Sequence, residues 1–257
     1  MNPNQIYLST IAPDAADTAK GFGLGLEIAE YCTAWNMDEK FAETHGIVEQ
    51  EIDGVSRRLL HAPFSELFPC AVDPKARDLA RFRYRQAISL AKRYGAEKVI
   101  IHGGYNPRLY FSCWYTEQSI VFWKDFLKED PGVDIVLENV LEGQPEMLGD
   151  IMQAVDHPRL RLCLDVGHVN AYSPVPAEEW LKKCAPWLSH FHIHNNDGSY
   201  DSHSLPGEGT ISLESLLRTA ESACPGATFT LEVRQAAPAV LWLQERGILE
   251  DWVWKQN

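Results

Sequence analysis

The chain has 257 residues, a formal net charge of −13 at neutral pH and a hydrophobic content of 45%. This acidic balance disfavours broad electrostatic binding to nucleic acid. No apolar run approaches the roughly 18 residues that a membrane-spanning helix needs. We therefore expect one folded domain over residues 1–257 that has a small-molecule substrate and no nucleic-acid or membrane partner; composition says nothing about its oligomeric state.

The beginning of the chain and its cysteines predict the compartment. Residues 1–5 carry no basic stretch followed by an apolar run, so they do not resemble a secretory signal, and we expect a cytoplasmic protein. The six cysteines are dispersed and contain no Cys-x-x-Cys pair. A chain of this length does not need a disulfide framework. We therefore predict free, mostly buried thiols.

Eight short apolar or β-branched runs predict strands. They cover residues 5–10, 23–28, 57–61, 98–102, 133–138, 160–165, 188–194 and 227–232. Most of them are nearly continuous apolar segments, which is typical of parallel strands that are buried on both faces.

Helical patterns separate these runs. The clearest spans residues 73–94, because Asp73 suits the N-cap, Pro74 the first helical position and Gly95 the position after the end. Further helices are predicted at 14–20, 37–51, 115–129, 145–156, 177–184, 212–223 and 235–246. Eightfold alternation of strand and helix predicts a (β/α)₈ TIM barrel, with an open doubly wound sheet as the alternative.

Carboxylates and histidines stand where the predicted strands end. In a barrel the active-site groups lie at the carboxyl ends of the strands. The candidate metal ligands there are His61, His102, Glu138, Asp165, His168, His192, Asp201, His203 and Glu232. A carboxylate that ends a buried strand is costly without a proton, a cation or a metal. Asp165 also suits the N-cap of the next helix, but as a set these groups predict a metal site.

Several short motifs carry a family resemblance. They are His61-Ala62-Pro63, Ile101-His102-Gly103-Gly104, Leu137-Glu138-Asn139, Leu164-Asp165-x-Gly167-His168, Phe191-His192-Ile193-His194-Asn195, Asp201-x-His203 and Leu231-Glu232-Val233. In this order they resemble the xylose-isomerase-like TIM-barrel superfamily (AP endonuclease family 2), which contains endonuclease IV and many sugar isomerases and epimerases. The resemblance covers nearly the whole chain.

The resemblance implies a divalent-metal site of one to three ions. One ion would be held as in the sugar enzymes, by Glu138, Asp165, His192 and Glu232. The endonuclease IV pattern implies three ions, held by His61, His102 and Glu138, by Asp165, His192 and Glu232, and by His168, Asp201 and His203. The abundance of imidazole favours Zn²⁺ or Mn²⁺. His192 and His194 point to the same face of the strand; spacing favours His192 as ligand, with His194 beside it or contacting substrate.

Two reactions suit such a site. A multinuclear centre is typical of phosphoester hydrolysis, which is our first hypothesis, for a small or medium-sized substrate. The alternative is a sugar or sugar-phosphate isomerase or epimerase that uses Glu138 and Glu232 as its acid/base pair. An AP-site DNA endonuclease is disfavoured because the loop after the second strand offers Glu30 instead of basic groups. A non-catalytic metal-binding protein is the remaining alternative.

Aromatic and basic residues near the predicted strand ends are candidates for substrate contacts. They are Phe64, Tyr105, Arg108 and Arg234, in addition to His194. Aromatic rings with one arginine could enclose a sugar or a phosphate ester. The rings could equally pack between helices of the barrel, and Arg234 could form a surface ion pair.

Overall fold

The computed structural model describes residues 1–249, which form one closed barrel of eight parallel strands in chain order. Strand β1 pairs with β8, with Ile6 opposite Phe229, and this pairing closes the sheet. The open-sheet alternative is therefore wrong, and the predicted TIM barrel is confirmed. Residues 250–257 of the predicted domain lie outside the described residues. Among the described helices, none is long and apolar enough to cross a membrane.

Each predicted strand is present, and its ends agree within two residues. The strands are β1 (Ile6–Ser9), β2 (Gly25–Ile28), β3 (Arg58–His61), β4 (Lys98–His102), β5 (Asp134–Glu138), β6 (Leu160–Asp165), β7 (Leu188–Ile193) and β8 (Thr228–Leu231). Most of their side chains are buried on both faces of the sheet. This is why the runs read as continuous apolar segments in the sequence.

Within residues 1–249, ten α-helices and one short 3₁₀ helix (Pro3–Gln5) surround the strands. The α-helices are α1 (Ala15–Phe22), α2 (Ala34–Met37), α3 (Phe41–Ile52), α4 (Pro74–Tyr94), α5 (Ser112–Phe126), α6 (Pro145–Val155), α7 (Val166–Tyr172), α8 (Ala177–Cys184), α9 (Leu213–Ala223) and α10 (Ala236–Glu245). The ends of α4 are as predicted: Asp73 accepts the Lys75 N–H at 2.8 Å, and Gly95 is left-handed with φ +65°.

Two helical segments differ from the prediction. The helix expected at 37–51 begins at Phe41, after the separate short helix α2. No predicted range covers helix α7, although Asp165 was recognised as a possible N-cap. It follows β6 without a loop, because Asp165 ends the strand and also accepts the His168 N–H at 2.6 Å as the helix N-cap. Its seven residues are too few to show helical periodicity.

The interior of the barrel contains an apolar cluster below the carboxyl ends of the strands. Tyr7, Leu59, Ile100, Val136 and Cys163 form a buried cluster inside the sheet. On β5 and β6, the next inward positions after Val136 and Cys163 are the carboxylates Glu138 and Asp165. The six cysteines are free, as expected. Polar groups lie at the carboxyl ends of the strands, and Glu27 and His190 are also buried beside Leu59 and Cys163, their partners in the strand register.

Candidate metal centre

Glu138, the last residue of β5, lies at the centre of the predicted ligands and is only 1% exposed. Its Oε2 atom lies 3.2 Å from His61 Nε2 and 3.5 Å from His102 Nε2. Its Oε1 atom lies 3.3 Å from the Nδ1 atoms of both His168 and His192. Three strands and helix α7 therefore each bring one histidine to a single carboxylate.

Glu138, Asp165, His192 and Glu232 form a compact buried group, with one ligand atom of each within 4.8 Å of the others. His192 Nδ1 lies 3.1 Å from Glu232 Oε2, 3.3 Å from Glu138 Oε1 and 3.7 Å from Asp165 Oδ2. Neither His192 Nδ1 nor Glu138 Oε1 has a hydrogen-bond partner within residues 1–249. Ligands of a tetrahedral zinc ion stand about 3.4 Å apart, so this group fits a divalent ion.

Three further histidines are oriented by main-chain carbonyls. The Nδ1–H of His61 donates to Ala62 O at 2.9 Å, that of His168 to Asn139 O at 2.9 Å, and that of His203 to Glu232 O at 2.8 Å. A neutral imidazole that donates from Nδ1 carries a lone pair on Nε2. Main-chain acceptors of this kind commonly orient metal-binding histidines.

Carboxylate oxygens face those Nε2 atoms. Asp201 Oδ2 lies 3.3 Å from His168 Nε2 and 3.0 Å from His203 Nε2, and Glu138 lies as close to His61. Two acceptors at this distance repel each other unless a proton or a metal ion lies between them. The pairs therefore also fit a bound cation.

The pKa values of His203 and Asp201 also fit a cation site. Burial alone would lower the pKa of His203, but the hydrogen bond to Asp201 and the charges of Glu232 and Asp201 together outweigh burial and raise the pKa to about 9. Burial alone would raise the pKa of Asp201, but His168 and His203 hold it well below its usual range. A divalent ion that bound here would compete with protons for the same nitrogen atoms.

Among residues 1–249, five groups of side chains could hold an ion, and three of them consist entirely of residues singled out from the sequence. Besides the four-residue group, His61, His102 and Glu138 lie within 4.8 Å of one another, as do His194, Asp201 and His203. His203 adopts a left-handed backbone with φ +51°. A non-glycine residue in this region is strained, and such strain often marks a functional site.

His192 and His194 occupy different groups. His192 belongs to the four-residue group, whereas His194 Nε2 lies 3.1 Å from Asp165 Oδ1 and 3.5 Å from Asp201 Oδ1. His194 is fully buried, and a Cβ atom at Gly167 would lie 1.8 Å from its ring. His194 does not line the cavity over the site. The predicted substrate contact by His194 is therefore not supported, because the backbone of α7 covers the ring.

A cavity of about 850 Å³ opens over these groups. Phe64 and Arg234 line it as predicted, and Phe64 stacks on His102 with ring centroids 4.4 Å apart. The predictions for Tyr105 and Arg108 need correction, since neither lines this cavity. Tyr105 packs against Tyr115, with centroids 5.0 Å apart, and Arg108 lies exposed in a surface turn.

A family model described as "Xylose isomerase-like TIM barrel" matches residues 26–252. The chain belongs to this family. Of its relatives, the uncharacterized protein MJ1311 from Methanocaldococcus jannaschii is 30% identical over 210 residues, which cover 76% of this chain and 69% of that protein. Fructoselysine 3-epimerase from Escherichia coli O157:H7 is 32% identical over 98 residues, 35% of this chain and 34% of that enzyme.

A solved structure supports the xylose isomerase-like fold. The crystal structure of a D-tagatose 3-epimerase-like protein superposes with a TM-score of 0.77, covering 94% of this chain and 96% of that one. Sequence identity is 23%, so this similarity establishes the shared barrel and no more.

Sequence reasoning did not include Glu27 in the site of this xylose isomerase-like barrel. Glu27 lies in β2, is fully buried and accepts a hydrogen bond from His192 Nε2 at 3.3 Å. The signal was present, because Glu27 stands near the end of an apolar strand, as Glu138 does. Cys32, on the loop that follows, lines the cavity beside His61.

Proposed function

We propose that this protein is a divalent-metal-dependent isomerase or epimerase of a sugar or sugar derivative, with Glu138 and Glu232 as the acid/base pair. The observation that carries the proposal is the position of these two buried carboxylates within 4.8 Å of each other, in one group with Asp165 and His192. Sugar epimerases among the similar proteins support this reaction class. Phosphoester hydrolysis, our first hypothesis, has no comparable support.

We propose Zn²⁺ or Mn²⁺ as the resident metal, with one to three ions per chain. Glu138, Asp165, His192 and Glu232 would hold the ion at the reacting centre. When bound, such an ion polarises a carbonyl oxygen of the substrate and so acidifies the neighbouring C–H group. His61, His102, His168, Asp201 and His203 would hold any further ions or orient substrate hydroxyls, and His194 would serve only as a ligand of a further ion.

The two carboxylates suit a two-base proton transfer. One glutamate, ionised, takes the proton from the carbon beside the carbonyl. The other starts protonated and returns a proton to the opposite face of the same carbon. The configuration of that carbon is inverted, and the two glutamates exchange their protonation states. Both glutamates line the cavity, so exchange with solvent can restore their starting protonation states between turnovers.

The test of this function uses proton exchange. Zinc- or manganese-loaded protein is incubated in D₂O with a panel of ketoses, ketose phosphates and ketosamines, and the products are followed by NMR. We expect deuterium at the carbon beside the carbonyl, together with a new epimer or isomer, for one class of substrate. Absence of exchange across the panel, with turnover of a bis-aryl phosphodiester instead, would favour the hydrolase and overturn the proposal.

A second prediction concerns Arg234 and the charge of the substrate. It lines the cavity two residues after Glu232, is exposed, and forms no ion pair within residues 1–249. If the substrate carries a phosphate or a carboxylate, Arg234→Met removes a charged hydrogen bond worth about 1.5–3 kcal/mol. We then expect KM to rise roughly tenfold to a hundredfold for the anionic substrate, without a comparable change for its uncharged analogue. Equal changes for both substrates would contradict this role.

A further inference from the structure

Beneath the metal centre lies a buried chain of polar groups that the reaction itself does not use. Its central member is Glu27, on β2, which is 0% exposed. Glu27 Oε2 accepts the Thr230 hydroxyl at 2.5 Å and faces His190 Nε2 and His192 Nε2, each at 3.3 Å. Three donors therefore converge on one carboxylate oxygen inside the barrel.

Lys98 and Thr228, which lie below Glu27 in this polar network, favour one direction for these hydrogen bonds. Lys98 Nζ donates to Thr228 Oγ1 at 2.8 Å and to Ser189 O at 2.7 Å. The Thr228 hydroxyl accepts from this ammonium group and has two acceptors for its own hydrogen, His190 Nδ1 at 2.7 Å and Ser189 O at 3.4 Å; the shorter contact favours donation to His190. His190 then carries its proton on Nε2, which points towards Glu27.

The same reasoning determines the tautomer of His192. Glu27 is an acceptor, so the His192 proton lies on Nε2. The lone pair on Nδ1 then faces Glu138, Asp165 and Glu232 at 3.1–3.7 Å. This is the reverse of His61, His168 and His203, which donate from Nδ1 to main-chain carbonyls. Of these four histidines, only His192 is oriented by a side chain.

We propose that Glu27 is a positioning residue: it holds His192 in the Nε2–H tautomer and so makes Nδ1 the atom that binds the metal. Lys98, Thr228 and His190 orient Glu27 from below. The inference rests on the metal site proposed above and does not depend on the sugar reaction. It also makes His192, and not His194, the metal ligand from β7. His194 then belongs to the neighbouring group around Asp201.

The direct test needs no variant. Zinc-loaded protein labelled with ¹⁵N at its histidine rings reports, by NMR, which nitrogen of each ring carries a proton and which carries the metal. We expect His192 to retain Nε2–H and to show zinc-bound Nδ1. Zinc on His192 Nε2, or a zinc-dependent shift at His194 Nε2 and none at His192, would overturn the proposal.

The variant test measures zinc affinity by competition with a chelator. Glu27→Gln keeps the shape of the side chain but offers an amide N–H that can donate to His192 Nε2, which moves the ring proton to Nδ1. Loss of a group that orients a metal ligand costs about tenfold to a hundredfold in affinity, and we expect a loss of this size. Glu27→Asp, which keeps the carboxylate, should recover part of it.

The matched control is Glu142→Gln. Glu142 is a buried carboxylate, 2% exposed, that accepts hydrogen bonds from Tyr115 OH and the Val140 N–H, both at 2.7 Å. Its replacement should disturb packing as much as Glu27→Gln does but leave zinc affinity unchanged. Equal losses in the two variants, or wild-type affinity in Glu27→Gln, would refute the positioning role. Normal zinc binding without turnover of any sugar would refute the reaction alone.

Discussion

Replacing Glu232 with glutamine is expected to slow deuterium exchange at the reacting carbon by about 10²–10⁴-fold, the usual contribution of a general acid or base. Glutamine keeps an oxygen that can bind the ion but cannot carry the transferred proton. Glu138→Gln should have an effect of the same order, because each epimerisation needs both groups. Deuterium incorporation, measured with the substrate found by the panel, gives the rate.

A matched variant separates proton transfer from metal binding. Asp165 belongs to the same four-residue group but has no place in the proton transfer. Asp165→Asn should therefore lose activity by losing affinity for the ion, and excess zinc should restore much of it. Excess zinc should not restore Glu232→Gln. If both variants recover alike, Glu232 is a ligand only and the acid/base assignment is wrong.

Removal of the metal is expected to lower the thermal stability of the protein substantially. An ion present at 1,000 times its Kd stabilises the native state by about 4.1 kcal/mol. For a chain of this size each kcal/mol corresponds to roughly 2–4 °C in Tm. We therefore expect Tm to fall by roughly 8–16 °C when a chelator removes the ion. Differential scanning calorimetry of the chelated and zinc-loaded proteins measures the shift.

The same samples give the number of ions. Elemental analysis of the zinc-loaded protein should find one to three ions per chain, and His203→Ala should remove one ion if the group around Asp201 is occupied. His203 lies outside the four-residue group, so this variant should keep the ion at the reacting centre. A Tm that does not respond to zinc, in a protein that retains none, would contradict the metal site.

The sequence was sufficient to predict the barrel and most of the side chains that its rim brings together, for a common physical reason. Parallel strands are buried on both faces, so a charged residue in such a run stands out, and parallel strands all end at one rim. Glu138 and Glu232 were recognisable in this way. Helix α4 was equally clear, because its N-cap, proline and C-terminal glycine are local signals.

The features of the site that could not be predicted from the sequence depend on tertiary contacts. Tyr105 was predicted in the pocket, but its ring packs against Tyr115 of α5, a contact between residues whose orientation depends on the whole loop. The tautomers of the histidines depend on hydrogen-bond acceptors up to 165 residues away, as for His192 and Glu27. No periodicity or spacing encodes such a pair.

The dual use of Asp165 limits what can stand at this position. One of its oxygens caps α7 through the His168 N–H, while the other faces His192 in the metal group. Asparagine would keep the cap and lose the charge, whereas glutamate would keep the charge and place it one methylene too far out to cap the helix. Position 165 should therefore tolerate fewer replacements than positions 138 and 232. One short side chain there must both cap a helix and supply a ligand to the proposed metal ion.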